Sequence, residues 1–161
     1  MRKLITAMAL LFLAACQTVT PQSTFAARQV AVLKENGFVE VDGQWELGMS
    51  DRLLFASDES KLIPAQVENI GKIARALVAV DIHGARVDGH TDSTGSRSHN
   101  DRLSLHRARA VKDAMADGGM EAAAIHVFGM GRRHPIESNR TASGRQENRR
   151  VVIVISSADA R

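Results

Sequence analysis

Residues 25–36, FAARQVAVLKEN, space their apolar side chains loosely at helical intervals and stop at Gly37, which predicts a helix with glycine just past its end. FVEV and QWELGMS then flank Asp42-Gly43, a dipeptide suited to a two-residue hairpin because both positions take positive φ. DRLLFAS reads as continued strand. Pro64 opens a segment in which Val67, Ile70, Ile73, Ala74, Leu77 and Val78 recur at helical spacing, with proline in the first turn where its missing N–H costs nothing. A strand follows at about 84–90, then a helix over 98–117 closed by Gly118-Gly119, then a short strand in IHVFGM. RRHPIESNRTASGRQEN reads as a polar loop, and RRVVIVIS is a β-branched run of the kind buried on both faces of a sheet. This order predicts an α/β sandwich, a mixed β-sheet with helices packed on one face.

The helix over 98–117 carries the most informative pattern. Leu103, Ala108, Ala110, Val111, Ala114 and Met115 share one broad arc, while Arg102, His106, Arg109 and Asp113 lie opposite. Leu105 falls outside this division. Asn100, Ser104 and Arg107 fall inside the apolar arc, and an inward guanidinium is costly unless a carboxylate meets it. The nearest acid in sequence is Asp92, at the mouth of the preceding strand. Two readings follow: an Asp92–Arg107 ion pair tying strand to helix, or a pocket with one acidic and one basic wall that takes a zwitterion such as an amino acid. Backbone N–H groups around Thr94-Gly95 are expected to add anion contacts.

At 161 residues, 44% hydrophobic, the chain is long enough for one domain with its own core. MRKLITAMALLFLAA has the charged start, short apolar run and small final residues of an export signal, and the apolar run is short of the roughly 20 residues a membrane span needs. Without Arg2 and Lys3 the formal charge of +3 drops to +1. With 4% aromatic residues and no basic stripe, nucleic acid is excluded as a partner. Cys16 is the only cysteine, which excludes an internal disulfide. Leu13-Ala14-Ala15-Cys16 resembles the bacterial lipobox, whose cysteine becomes the acylated N-terminus. Gln17, a non-acidic residue after it, implies sorting to the outer membrane, and QTVTPQST over 17–24 suits a flexible tether.

His90-x-Asp92, with His83, His99 and His106 nearby, invites a metal reading. Helical phase opposes it, because His106 points to the polar face and His99 begins the helix; His90 is expected to orient the turn beside Asp92. Catalysis has no better footing. No second carboxylate is placed to partner Asp92, Ser93 and Ser104 lack a base with its orienting group, and the glycines at 84, 89 and 95 form no phosphate loop with a lysine. Binding without catalysis, cofactor or metal is the expectation.

The runs 89-GHTDSTGSRSHNDRLSLHRARAV-111 and 129-GMGRRHPIESNRTASGRQENRRVVIVI-155, with 53-LLFASDESKLIP-64 as opening strand and turn, resemble the OmpA-like peptidoglycan-binding domain. That family is found in outer-membrane protein A and in peptidoglycan-associated lipoproteins. The resemblance implies an α/β sandwich that binds the peptide stem of peptidoglycan through diaminopimelate. It places the family's acidic residue on Asp92, its helix arginine on Arg107, its asparagine on Asn100 and its turn residues on Thr94 and Gly95. Leu103 becomes an apolar wall, and Asp58 and Arg149 join the site, Arg149 as a brace. Ala56-Ser57 departs from the aromatic or acidic pair usual in the family's opening turn.

The implied organisation is a signal peptide over 1–15, a lipidated N-terminus and tether over 16–24, an accessory helix and hairpin over 25–52, and the wall-binding domain over 53–156. Neither barrel strands nor a membrane helix precede that domain, unlike the pore-forming and stator branches. The expected function is an outer-membrane lipoprotein facing the periplasm that tethers the membrane to the cell wall. Two alternatives stay open: a periplasmic metal-dependent hydrolase built on the His90–Asp92 region, and a wall-binding component of a larger envelope complex that engages other envelope proteins.

Overall fold

The structure is a computed structural model that describes residues 25–55 and 60–160. The expected signal peptide, the lipidation site Cys16, the tether and Asp58 lie outside the described residues.

Helix α1 (Ala27–Glu35) starts with the Gln29 side chain accepting from the Ala26 N–H at 2.9 Å. It ends where Gly37 takes φ 83°, so that the Phe38 N–H reaches back to the Leu33 carbonyl at 3.0 Å and the chain turns away. Strands β1 (Val39–Val41) and β2 (Gln44–Ser50) then form the expected hairpin. Asp42 at φ 49° and Gly43 at φ 78° supply its two-residue turn.

Helix α3 (Pro64–Val78) has proline in its first turn, and β3 (Ala85–His90) leads into α4 (Arg97–Asp117), both close to the sequence expectation. Strands β4 (Ile125–Gly131) and β5 (Arg150–Ile155) complete a five-stranded sheet ordered β1-β2-β5-β3-β4. Only β3 and β4, joined through α4, run parallel; the other neighbours are antiparallel. Strand β2 pairs with β5 from Trp45↔Ile155 to Ser50↔Arg150, so the hairpin of the 25–52 segment extends the sheet.

Period-two alternation sends Trp45, Leu47 and Met49 of β2, Val87 of β3, and Val151, Ile153 and Ile155 of β5 into one core with Leu33, Ile70, Leu77, Val111 and Met115. Helices α1, α3 and α4 therefore cover one face. On the other face Val152 and Val154 are also buried, which fits the unbroken β-branched run of β5. Helix α4 lies unusually close to the sheet because Gly89 lacks a side chain; a Cβ there would stand 2.0 Å from the Ser104 carbonyl oxygen.

Two elements differ from the sequence expectation. DRLLFAS does not continue as strand: Asp51–Leu54 forms a helical turn, α2, and Phe55 makes an isolated bridge to Leu62. Leu54 and Phe55 are both buried while Leu53 is 63% exposed, a pattern that strand alternation cannot produce. The loop before β5 contains a helix, α5 (Ala142–Asn148), capped by Thr141, whose side chain accepts from the Gly144 N–H at 2.9 Å. ASGRQEN has no apolar stripe, so periodicity had nothing to detect; the threonine cap was the available signal.

Candidate ligand-binding site

Beyond the C-terminal end of β3 the chain opens into a cavity of about 550 Å³, walled by the start of α4, by α2 and by the α5–β5 junction. Asp92, Thr94, Gly95, Asn100, Leu103, Arg107 and Arg149 all line it. Seven of the eight expected ligand residues thus share one cavity; Asp58 is the one outside the described residues.

The turn leading into α4 is built around Asp92 and Asn100. Asp92 Oδ1 accepts from the Thr94 N–H at 2.7 Å, which closes an Asx turn and lets Gly95 take φ 83°. That donor, expected to face an anionic ligand, is used internally. Asn100, buried one turn into α4, donates to the Thr94 carbonyl at 2.9 Å and to the Asp92 carbonyl at 3.4 Å, holding the turn from behind. Ser96 caps α4 by accepting from the His99 N–H at 3.2 Å.

Arg107 points inward as the helical phase requires and is 4% exposed, but it does not pair with Asp92. Its Nη1 lies 3.0 Å from Oδ2 of Asp51, 56 residues away in sequence, and its guanidinium carbon sits 5.1 Å from the Phe55 ring centre. Asp92 Oδ2 instead accepts from Arg149 Nη1 at 2.6 Å, and Arg149 Nε lies 3.4 Å from Asp51 Oδ2. The expected two-residue pair is therefore a chain of four charges, Asp92–Arg149–Asp51–Arg107. Burial pushes the Asp92 carboxyl up, but the Thr94 N–H and the Arg149 guanidinium outweigh it and hold the group below the usual carboxylate range. Asp92 is ionised at neutral pH.

Arg149 is positioned from two sides. Its carbonyl accepts from the Asp51 N–H at 3.0 Å, and its neighbour Asn148 is fully buried. Asn148 Oδ1 accepts from the Ile136 and Glu137 N–H groups at 2.8 and 3.0 Å, and its amide donates to Glu137 and Asn139, pinning the loop before α5. Asn139 Oδ1 in turn accepts from the Ser93 N–H at 3.1 Å, so this loop also steadies the Asp92 turn.

Asp51, Phe55, Arg52 and Arg145 line the cavity but were not singled out in the sequence. Local periodicity cannot find Asp51, since its role depends on β2 ending beside β5. The available signal was charge accounting: the inward Arg107 calls for a carboxylate, and Asp92 is also within the reach of Arg149.

His90 does not brace the turn. Strand alternation aims it at the opposite sheet face, into a separate hollow lined by Glu46, Asp88, His134 and Arg150. Burial, aided by the positive charge of Arg150, pushes its pKa down to about 3, so it is neutral. His90 and Asp92 therefore open on different cavities. Among the described residues no group of three or more His, Cys, Asp or Glu side chains is arranged to hold a metal ion.

Residues 54–149 match the model of the OmpA family. The chain belongs to the OmpA family. Within it, the sequence is 46% identical over 143 residues to outer-membrane lipoprotein YfiB of Pseudomonas aeruginosa, covering 89% of this chain and 85% of that protein. It is 45% identical over 147 residues to the putative lipoprotein YfiB of Escherichia coli, covering 91% of each. Among solved structures it resembles the cell wall anchor of the T6SS from P. aeruginosa, with a TM-score of 0.65 and 25% identity over 80% of this chain and 94% of that one. The OmpA match takes in Asp92, Arg107 and Arg149 and starts after Asp51.

Proposed function

We propose that this protein is a non-catalytic envelope lipoprotein that binds peptidoglycan reversibly through the diaminopimelate of its peptide stem. The observation that carries the proposal is the presence of an ionised Asp92 and a buried Arg107, each bonded to a different partner, on the walls of one cavity. Diaminopimelate offers an ammonium and a carboxylate on one carbon. The carboxylate takes the Arg107 guanidinium in a charge-assisted bond, and the ammonium takes Asp92. Leu103 supplies an apolar wall for the methylene chain, while Thr94, Gly95 and Asn100 shape the rim. Asp58 is proposed as a further contact and Arg149 as the brace of Asp92.

Anchoring follows from Cys16. Acylation of this residue places lipid at one end of a short tether and the wall-binding domain at the other, so the protein links outer membrane to wall from the periplasmic side. The naming of its relatives as lipoproteins supports this reading. The likeness to a secretion system's cell wall anchor also supports a second one, in which the same wall contact serves a larger envelope assembly.

Calorimetry with meso-diaminopimelate tests the site. Charge-assisted bonds contribute about 1.5–3 kcal/mol each, so Asp92→Ala or Arg107→Ala is expected to weaken binding by roughly one to two decades. Wild-type affinity in both variants would overturn the assignment.

A further inference from the structure

We propose that Asp51 is a specificity-determining residue of this cavity: an internal carboxylate that occupies Arg107 and so excludes anions lacking a cationic group. The inference rests on the reading of the cavity as a carboxylate- and ammonium-binding site. Asp51 is buried, and its Oδ2 stands 3.0 Å from Arg107 Nη1 and 3.4 Å from Arg149 Nε. A ligand carboxylate reaching Arg107 must therefore displace Asp51 or share the guanidinium with it.

Charge balance decides which ligands succeed. A zwitterion brings a carboxylate for Arg107 and an ammonium for Asp92; Arg149, released from Asp92, is already within reach of Asp51. Within the four-residue chain and its ligand, three acids then face three bases. A simple anion brings no ammonium, so Asp51, Asp92 and its own carboxylate compete for the two arginines of the ion-pair chain, Arg107 and Arg149, and carboxylates crowded together repel. Arg52 and Arg145 also line the cavity, so without Asp51 its described lining would carry four arginines against one aspartate and attract anions indiscriminately.

Delivery of Asp51 depends on the segment that precedes the OmpA match. The residue precedes the OmpA match and is placed by the end of β2, where its N–H is held by the Arg149 carbonyl at 3.0 Å. The hairpin that extends the sheet thus also supplies the residue that filters the ligand.

The test uses the full chain in detergent, with calorimetric titration of meso-diaminopimelate and of pimelate, which has the same carbon skeleton without amines. Asp51→Asn is expected to bind pimelate about tenfold more tightly than the wild type, as the loss of one repelling charge predicts, and to narrow the preference for diaminopimelate correspondingly. Asp51→Glu, which keeps the charge, retains wild-type discrimination. Unchanged or weaker pimelate binding by a cooperatively melting Asp51→Asn overturns the proposal, because a merely structural role lowers both affinities together. Should Asp51→Asn not fold, Asp51→Ser carries the same expectation and decides in the same way. If the wild type fails to bind diaminopimelate, the wall-binding reading falls, while the pimelate comparison still decides the role of Asp51.

Discussion

Arg149 Nη1 lies 2.6 Å from Oδ2 of Asp92, joining the α5–β5 junction to the turn after β3 across 57 residues of sequence. This contact helps hold the Asp92 carboxyl below its ordinary value of 3.8. A lowered folded-state pKa stabilises the protein above the unfolded value, and the contribution disappears as pH falls through the folded one. Stability should therefore be insensitive to Asp92 between pH 7 and 5 and fall below about pH 4, with Asp92→Asn removing that part of the acid limb. Arg149→Met should raise the Asp92 pKa toward its unfolded value and so shrink the acid-dependent loss. Urea unfolding across this range, with an NMR titration of the Asp92 carboxyl, checks both outcomes.

His90 has the opposite chemistry with the same sign. Its pKa is pushed down to about 3 by burial from an ordinary 6.5, so below pH 6.5 the unfolded chain takes up a proton that the folded protein refuses. Folding stability should fall as pH drops from 7.5 to 5, by up to about 2 kcal/mol from this residue alone. His90→Gln removes that slope. Unfolding free energies at the two pH values give the comparison, and equal slopes in variant and wild type would contradict the assignment.

The close approach of α4 to β3 predicts a sharp contrast between two glycines. Gly89→Ala drives a methyl into the Ser104 backbone at 2.0 Å and should cost at least about 1–3 kcal/mol. Gly48, in β2, has nothing within 4 Å of an added Cβ, and Gly48→Ala should change stability by less than about 0.5 kcal/mol. Thermal or urea unfolding of the two variants measures the difference.

Much of this architecture was legible because it is written in short-range patterns. The alternation in β2 and β5, proline at the start of α3 and Asp42-Gly43 in the hairpin turn each specify local geometry. The inward phase of Asn100, Ser104 and Arg107 was equally plain, and all three are buried. The Arg107–Asp51 contact was not legible, because Asp51 reaches the guanidinium only after β2 pairs with β5 and the chain breaks into a helical turn. Sequence proximity favoured Asp92, which the fold commits to Arg149. His90 differs for a related reason: the period-two rule would put His90 and Asp92 on one face, but β3 ends at His90 and Asp92 belongs to the turn that follows. Helix α5 escaped because a polar helix capped by one threonine has no hydrophobic period.

The most direct measurement is co-sedimentation of the protein with purified cell-wall sacculi, with free meso-diaminopimelate as competitor. Wild-type protein should pellet with sacculi and be released by diaminopimelate, and Asp92→Ala and Arg107→Ala should remain largely in the supernatant. Sedimentation that is indifferent to diaminopimelate and unchanged in both variants would contradict recognition of the wall through this pair of charges.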